Sequence, residues 1–198
     1  DATPPKMEAR KGNFTASNIS RLLAGGTGAT RQSYILEVAM ASIGIKDDFE
    51  SAATRHGTNN QYNAFDLCVK PLFDKAEWYD KYIALTANSG ASPDVLIDKY
   101  FTLDVKCPYG IPNYIEQCKK LPKKYYQQAM MQMMCTKAPI GYVLIYLTKP
   151  ELWGEDNWKE YPLPVEERYH LHEIKWDEQT VYEITESVAK AVPIRDAL

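Results

Sequence analysis

Three acids and two lysines fall within the fifteen residues from Ser92 to Lys106, SPDVLIDKYFTLDVK. Asp94 follows a proline and opens an apolar run, and Asp104 lies between Leu103 and Val105, with Lys106 directly after. If the two apolar runs are strands that meet near their ends, Asp94 and Asp104 come together. Two carboxylates in such a place can hold a hard divalent cation that keeps several of its waters, which leaves room for a phosphate oxygen and an attacking water. Residues two apart on a strand share a face, so Lys106 stands beside Asp104 while Val105 points into the core. The lysine can then orient or deprotonate the water. The chemistry suited to this set is metal-assisted phosphodiester hydrolysis. A plainer reading is a hairpin whose Asp94 and Asp98 flank a turn and whose Asp104 and Lys106 form a solvated stripe, since short motifs match by chance.

The elements that must position these groups are legible in outline. Ile19, Leu22 and Leu23 have helical spacing behind Thr15 or Ser17 as a cap. Such a helix start beside Arg10 is either a simple helix start or an anion pocket. Ala24 to Thr30, AGGTGAT, is a connector that matches no phosphate-binding fingerprint. Arg31 to Ile43 is an amphipathic helix, and a helical region from Asp47 to Phe73 is expected to break at His56-Gly57. Glu77 to Thr86 reads as a strand, Ala87 to Ala91 as a turn, Lys123 to Thr136 as a helix, Gly141 to Thr148 and Glu167 to Trp176 as strands, and Asp177 to Val192 as a closing helix. The four methionines of Lys123 to Thr136 are core packing. This order predicts an α/β (mixed α+β) fold, a central mixed sheet flanked by helices, in a single domain over 1–198 with a loose arm over 1–9.

The composition narrows the classes of function. With 45% apolar and 12% aromatic residues, the 198-residue chain can bury one sizeable core. A net charge of −3 argues against coating nucleic acid through bulk electrostatics, though not against a local basic channel. No apolar run approaches a membrane span and the start lacks a signal peptide's apolar segment, so a soluble, cytoplasmic protein is expected. Cys68, Cys107, Cys118 and Cys135 form no C-x-x-C pair and fit reduced thiols. His170 and His172 alternate on a strand and present both rings on one side, as a polar face or as two ligands of a metal lacking its third.

Several separated pieces, taken together, resemble one family. Arg10 with Thr15-Ala16-Ser17, Arg55-His56-Gly57-Thr58, Ser92-Pro93-Asp94, Leu103-Asp104-Val105-Lys106-Cys107-Pro108, and Tyr125 with Gln128 are similar in kind and order to the lambda-type phage exonucleases, also called YqaJ-like viral recombinases. The similarity spans residues 10 to 136, and five ordered motifs are far more specific than one. The family belongs to the PD-(D/E)xK nucleases, so the resemblance implies a restriction-endonuclease-like core.

The resemblance implies an enzyme that degrades one strand of linear duplex DNA from the 5′ end, releasing mononucleotides and leaving a 3′ tail for a single-strand annealing protein. It implies Mg²⁺, with Mn²⁺ as a substitute, on Asp94, Asp104 and the Val105 carbonyl. Lys106 then handles the water, and Gln128 and Tyr125 line the site from the helix. Arg10, Ser17 and Ser92 match the positions that grip the 5′ phosphate, and relatives close into a homotrimeric ring around DNA. The chain departs from the pattern twice. Gln61 stands where the family has a glutamate ligand, and an amide brings no negative charge to a second metal. Pro112 stands where the family has arginine, with Lys119, Lys120 and Lys123 nearby in sequence. Two other functions use the same residues: an endonuclease of restriction or repair type, and a DNA-end-binding protein with weakened catalysis.

Overall fold

Alternation along Phe101 to Lys106 builds the middle of the molecule. In the computed structural model, which describes residues 9–25, 28–45, 51–79, 81–148 and 163–198, these residues form strand β6. Leu103 and Val105 are fully buried on one face, against Phe65, Cys68 and Val69. Thr102, Asp104 and Lys106 occupy the opposite face, as period-2 geometry requires.

The chain order is β1 (Phe14–Thr15), a 3₁₀ turn Ala16–Asn18, α1 (Ile19–Leu22), α2 (Ala29–Ser42) and α3 (Ala52–Ala64). A π-helical turn, Phe65–Val69, and one further α turn, Lys70–Leu72, extend α3. Four short strands follow: β2 (Ala76–Trp78), β3 (Ile83–Thr86), β4 (Ser89–Ala91) and β5 (Val95–Ile97). After β6 come α4 (Ile111–Lys119), α5 (Lys123–Thr136), β7 (Ile140–Tyr146), β8 (Tyr169–Lys175) and α6 (Glu178–Asp196).

The strands make two mixed sheets. The larger has the order β2-β5-β6-β7-β8, in which only β6 and β7 are parallel. The smaller has the order β1-β4-β3, with β1 parallel and β3 antiparallel to β4. The connector Ser92 to Asp94 carries the chain from β4 of the small sheet to β5 of the large one.

Helix α5 lies on the large sheet and carries most of one core. Met130, Met131 and Met133 are fully buried there with Val143, Ile145, Ile184 and Phe14. Each such side chain contributes about 1.5–3 kcal/mol in apolar burial. The helix can sit this close because the second residue of β7 is Gly141, where a Cβ would stand 2.8 Å from Met133 Cγ and 3.1 Å from Thr102 Oγ1. The second core, on the other face, is built from the α3 extension and from Val95, Leu103, Val105, Leu144 and Tyr146.

The mixed α/β architecture is as expected, and several local expectations are corrected. Gly57 does not break a helix, since α3 runs unbroken from Ala52 to Ala64. The expected start at Asp47 lies outside the described residues, and Ser51 caps the helix by accepting from the Thr54 amide at 3.1 Å. Glu77 to Thr86 is two strand segments rather than one. The turn expected over Ala87 to Ala91 gives way after Asn88 to β4, which pairs with β1 on one side and β3 on the other. Thr15 and Ser17 do not cap a helix: Thr15 ends β1, and Ser17 lies in the 3₁₀ turn. Helix α4 was not expected, and Pro112 sits in its first turn, where a missing N–H costs nothing. Of the arm expected over 1–9, all but Ala9 lies outside the described residues.

Candidate functional site

Asp94 reaches the site from the connector between the sheets, and Asp104 and Lys106 reach it from β6. The antiparallel pairing of Val95 with Leu103 brings the two acids to the same end of the β5–β6 hairpin. Both are buried, Asp94 with 9% of its surface exposed and Asp104 with 2%. Asp94 Oδ2 accepts a hydrogen bond from the Val105 amide at 2.8 Å, which locks the first acid to the strand that carries the second. Lys106 Nζ forms an ion pair with Asp104 Oδ2. The solvated stripe allowed by the plainer reading of the hairpin is therefore not what forms.

Helix α5 supplies the support for Asp104. Gln128 Nε2 donates to Asp104 Oδ1 at 3.0 Å, and Gln132 Nε2 donates to the same oxygen at 2.8 Å. Tyr125, one turn before Gln128, places its ring 4.9 Å from Lys106 Nζ. A cation over an aromatic face is attracted by the ring quadrupole, so the lysine is held from two sides. Burial alone would favour the neutral amine, but the charges of Asp104 and Asp94 outweigh it and hold the Lys106 pKa above the ordinary lysine value. In this arrangement Lys106 is an ammonium that donates hydrogen bonds.

Gln61, on α3, closes the other side. Its Nε2 donates to the Val105 carbonyl at 2.9 Å and to Asp94 Oδ2 at 3.3 Å. One donor atom reaching both oxygens means that the two converge on one point, as the ligands of a cation must. The donor set consists of two buried carboxylates and a peptide carbonyl, all hard oxygens, and it fits a magnesium-like ion that retains waters. Among the described residues no group of three His, Cys, Asp or Glu side chains is placed to hold a metal. The Val105 peptide oxygen is the group placed here that could serve as a third ligand, with the Gln61 amide beside it.

The residues expected to grip a terminal phosphate are partly assembled. Arg10 Nη2 donates to Ser17 Oγ at 2.9 Å, and Ser17 Oγ lies 3.3 Å from Thr15 Oγ1. Ser92 Oγ is buried and meets no hydrogen-bond partner among the described residues. Pro112 does not belong to this group, since its place is set by the start of α4. Gln132 is the site residue the sequence reading missed. Its signal was available, because it lies four residues beyond Gln128 and so on the same helix face.

The histidine pair takes the plain polar role. His170 and His172 stack edge to face at 4.4 Å between centroids on β8, and His172 Nε2 lies 2.8 Å from the Gln117 carbonyl. His56 is buried on α3, with Nε2 2.6 Å from Thr148 Oγ1. All four cysteines are free thiols. Burial pushes the Cys107 thiol up to about 12 and the Cys68 thiol to about 11, so neither is a nucleophile at neutral pH. Among the described residues no helix is long and apolar enough to cross a membrane.

Comparison with known proteins gives a family and a fold. Residues 7–139 match the family model of the YqaJ-like viral recombinase domain. An alkaline exonuclease from Laribacter hongkongensis is similar in fold, with a TM-score of 0.78 and 24% identity over 96% of this chain and 91% of that one. The same exonuclease in complex with dAMP gives a TM-score of 0.80 at 24% identity, over 98% and 93% of the two chains. A phage-related exonuclease from Haemophilus somnus gives 0.78 at 16% identity, over 93% and 94%. No curated protein matches in sequence.

Proposed function

The chain belongs to the YqaJ-like viral recombinase domain family, and from that premise we propose that it is an Mg²⁺-dependent 5′-to-3′ exonuclease acting on linear double-stranded DNA. It releases mononucleotides and leaves 3′ single-stranded tails for recombination by strand annealing. The observation that carries this reading is the convergence of Asp94, Asp104, the Val105 carbonyl and Lys106 at one end of a single hairpin. The alkaline and phage-related exonucleases that share this fold support it.

In this reading Asp94, Asp104 and the Val105 carbonyl hold Mg²⁺, for which Mn²⁺ substitutes. When bound, the ion polarises the scissile phosphate and lowers the pKa of the attacking water. The protein contributes position and charge. Lys106, kept as an ammonium by the two carboxylates, donates hydrogen bonds to the water and to the phosphate and orients both. Tyr125 restrains the lysine, and Gln128 with Gln132 fixes the rotamer of Asp104. Arg10, Ser17 and Ser92 donate to the 5′-terminal phosphate, an acceptor-only group whose charge suits a guanidinium. Ser92 and Asp94 are two residues apart, so the terminal phosphate and the scissile one are gripped by neighbouring parts of one connector. A trimeric ring around DNA, processivity and a cytoplasmic site of action belong to the same proposal and rest on family resemblance alone.

The test is digestion of linear and closed circular duplex with and without Mg²⁺. Nucleotide release from linear DNA that depends on Mg²⁺ and is abolished by Asp94→Ala or Lys106→Ala is the expected result. Cleavage of closed circles would make the protein an endonuclease. Tight binding of ends without hydrolysis in Mg²⁺ or Mn²⁺ would make it an end-binding protein, the reading that Gln61 favours by withholding a carboxylate.

A further inference from the structure

A tyrosine with no part in the site so far is placed against its phosphate-gripping side. Tyr82 immediately precedes β3, and its hydroxyl is buried without a hydrogen-bond partner among the described residues. The same holds for Ser92 Oγ. Buried hydroxyls in native proteins are nearly always paired, so two orphans close together in one region ask for a common explanation.

Their positions supply one. Tyr82 lies directly on Gly90 of β4, where an added Cβ would stand 2.5 Å from both Cζ and the phenol oxygen. The ring is thus pressed on backbone that tolerates only glycine. Two residues further along the chain is Ser92, directly past the end of β4 at Ala91. Across the strand pair, Gly90 is in register with Thr15. Thr15 Oγ1 lies against Ser17 Oγ, which in turn accepts from Arg10. The phenol thus covers the residue that pairs with Thr15 and that precedes Ser92 by two. Burial pushes its pKa up to about 12, while the nearby Arg10 charge acts in the opposite direction. It keeps its proton at neutral pH and can donate.

We propose that the Tyr82 hydroxyl is a fourth hydrogen-bond donor to the 5′-terminal phosphate, acting with Arg10, Ser17 and Ser92. The inference rests on the pocket assigned under the proposed function and adds a residue that no motif in the sequence marks. A phosphate oxygen is acceptor-only, so one ligand group satisfies both orphan hydroxyls.

The experiment uses the full chain and duplexes that differ only in carrying a 5′ phosphate or a 5′ hydroxyl. Binding is measured by fluorescence anisotropy, with Ca²⁺ replacing Mg²⁺. The unmodified protein binds the phosphorylated end more tightly, and Tyr82→Phe lowers that preference about tenfold, the effect of one hydrogen bond to a charged group. Thermal melting of the free variant gives the second readout. Removing a hydroxyl that has no partner leaves Tm unchanged or raises it by about 2–4 °C. A preference that survives Tyr82→Phe while Arg10→Ala abolishes it overturns the role of Tyr82 and leaves the pocket intact. A fall in Tm in the phenylalanine variant marks the hydroxyl as structural and overturns the proposal as well. Equal binding of both ends by the unmodified protein overturns the pocket, and Tyr82 with it.

Discussion

Gln128 and Gln132, one turn apart on α5, donate to the same carboxylate oxygen of Asp104. The other oxygen faces Lys106, so every direction in which Asp104 could turn is already held. Gln132 is 1% exposed and has no other assigned partner for its amide oxygen among the described residues. Gln132→Leu keeps the bulk and removes both the donor and that orphan acceptor. Metal affinity and turnover are expected to fall about 10–100-fold, the usual cost of losing a group that orients a ligand, while Tm is nearly unchanged. Calorimetric titration with Mn²⁺ and steady-state digestion check the two quantities. Full retention of both would show that Gln128 alone orients Asp104.

At Gln61 the replacement of interest adds a charge. Gln61→Glu exchanges a donor to Asp94 and Val105 for a third carboxylate beside two others. Without metal the variant should melt below the wild type, because like charges at this range repel and the hydrogen bonds to Val105 and Asp94 are lost. With saturating Mg²⁺ the order should reverse, since anionic oxygens are better ligands for a hard cation, and affinity should rise about tenfold or more. Melting curves with and without Mg²⁺ give both signs. Unchanged affinity would remove Gln61 from the metal-binding shell.

Asp177 caps α6 and provides a pH test of the fold. Its carboxylate accepts from Thr180 Oγ1 at 2.5 Å, from the Gln179 amide at 3.1 Å and from the Tyr126 hydroxyl at 3.2 Å. The Thr180 hydrogen bond leads in holding its pKa below the ordinary aspartate value of 3.8. A depressed folded pKa stabilises the protein fully above the unfolded value, and that contribution is lost as pH falls through the folded one. Asp177→Ala should therefore lower Tm at pH 7, and the gap to wild type should narrow as pH drops below 3.8. Melting at pH 7, 5 and 3 tests this. A gap that stays constant down to pH 3 would rule out the carboxylate as the source.

The hairpin of the candidate site was legible because two independent signals agree there, alternation along Phe101 to Lys106 and chemistry at Asp94, Asp104 and Lys106. What escaped the sequence was non-local. Strand β4 is Ser-Gly-Ala, with no β-branched residue, and exists because β1 and β3 flank it. Gly57 looked like a helix break because glycine weakens helix interiors by about 1 kcal/mol. Here it lies in the helix with the Cys107 carbonyl 3.9 Å from where its Cβ would be. Helix α4 was hidden by Pro112, a residue that usually ends helices but is favoured in a first turn. Gln132 stands among methionines whose periodicity marks packing, and its one signal in the sequence is its spacing of four from Gln128.

The connector between the two sheets is also a ruler. Two residues of chain span at most about 7 Å, however extended, and Pro93, buried at its middle, has a fixed φ. If Ser92 holds the end of the DNA and Asp94 the bond to be cut, the length of the product is written in backbone. One residue inserted after Pro93 would lengthen the ruler by up to about 3.5 Å, and the enzyme would then measure incorrectly rather than merely cut more slowly.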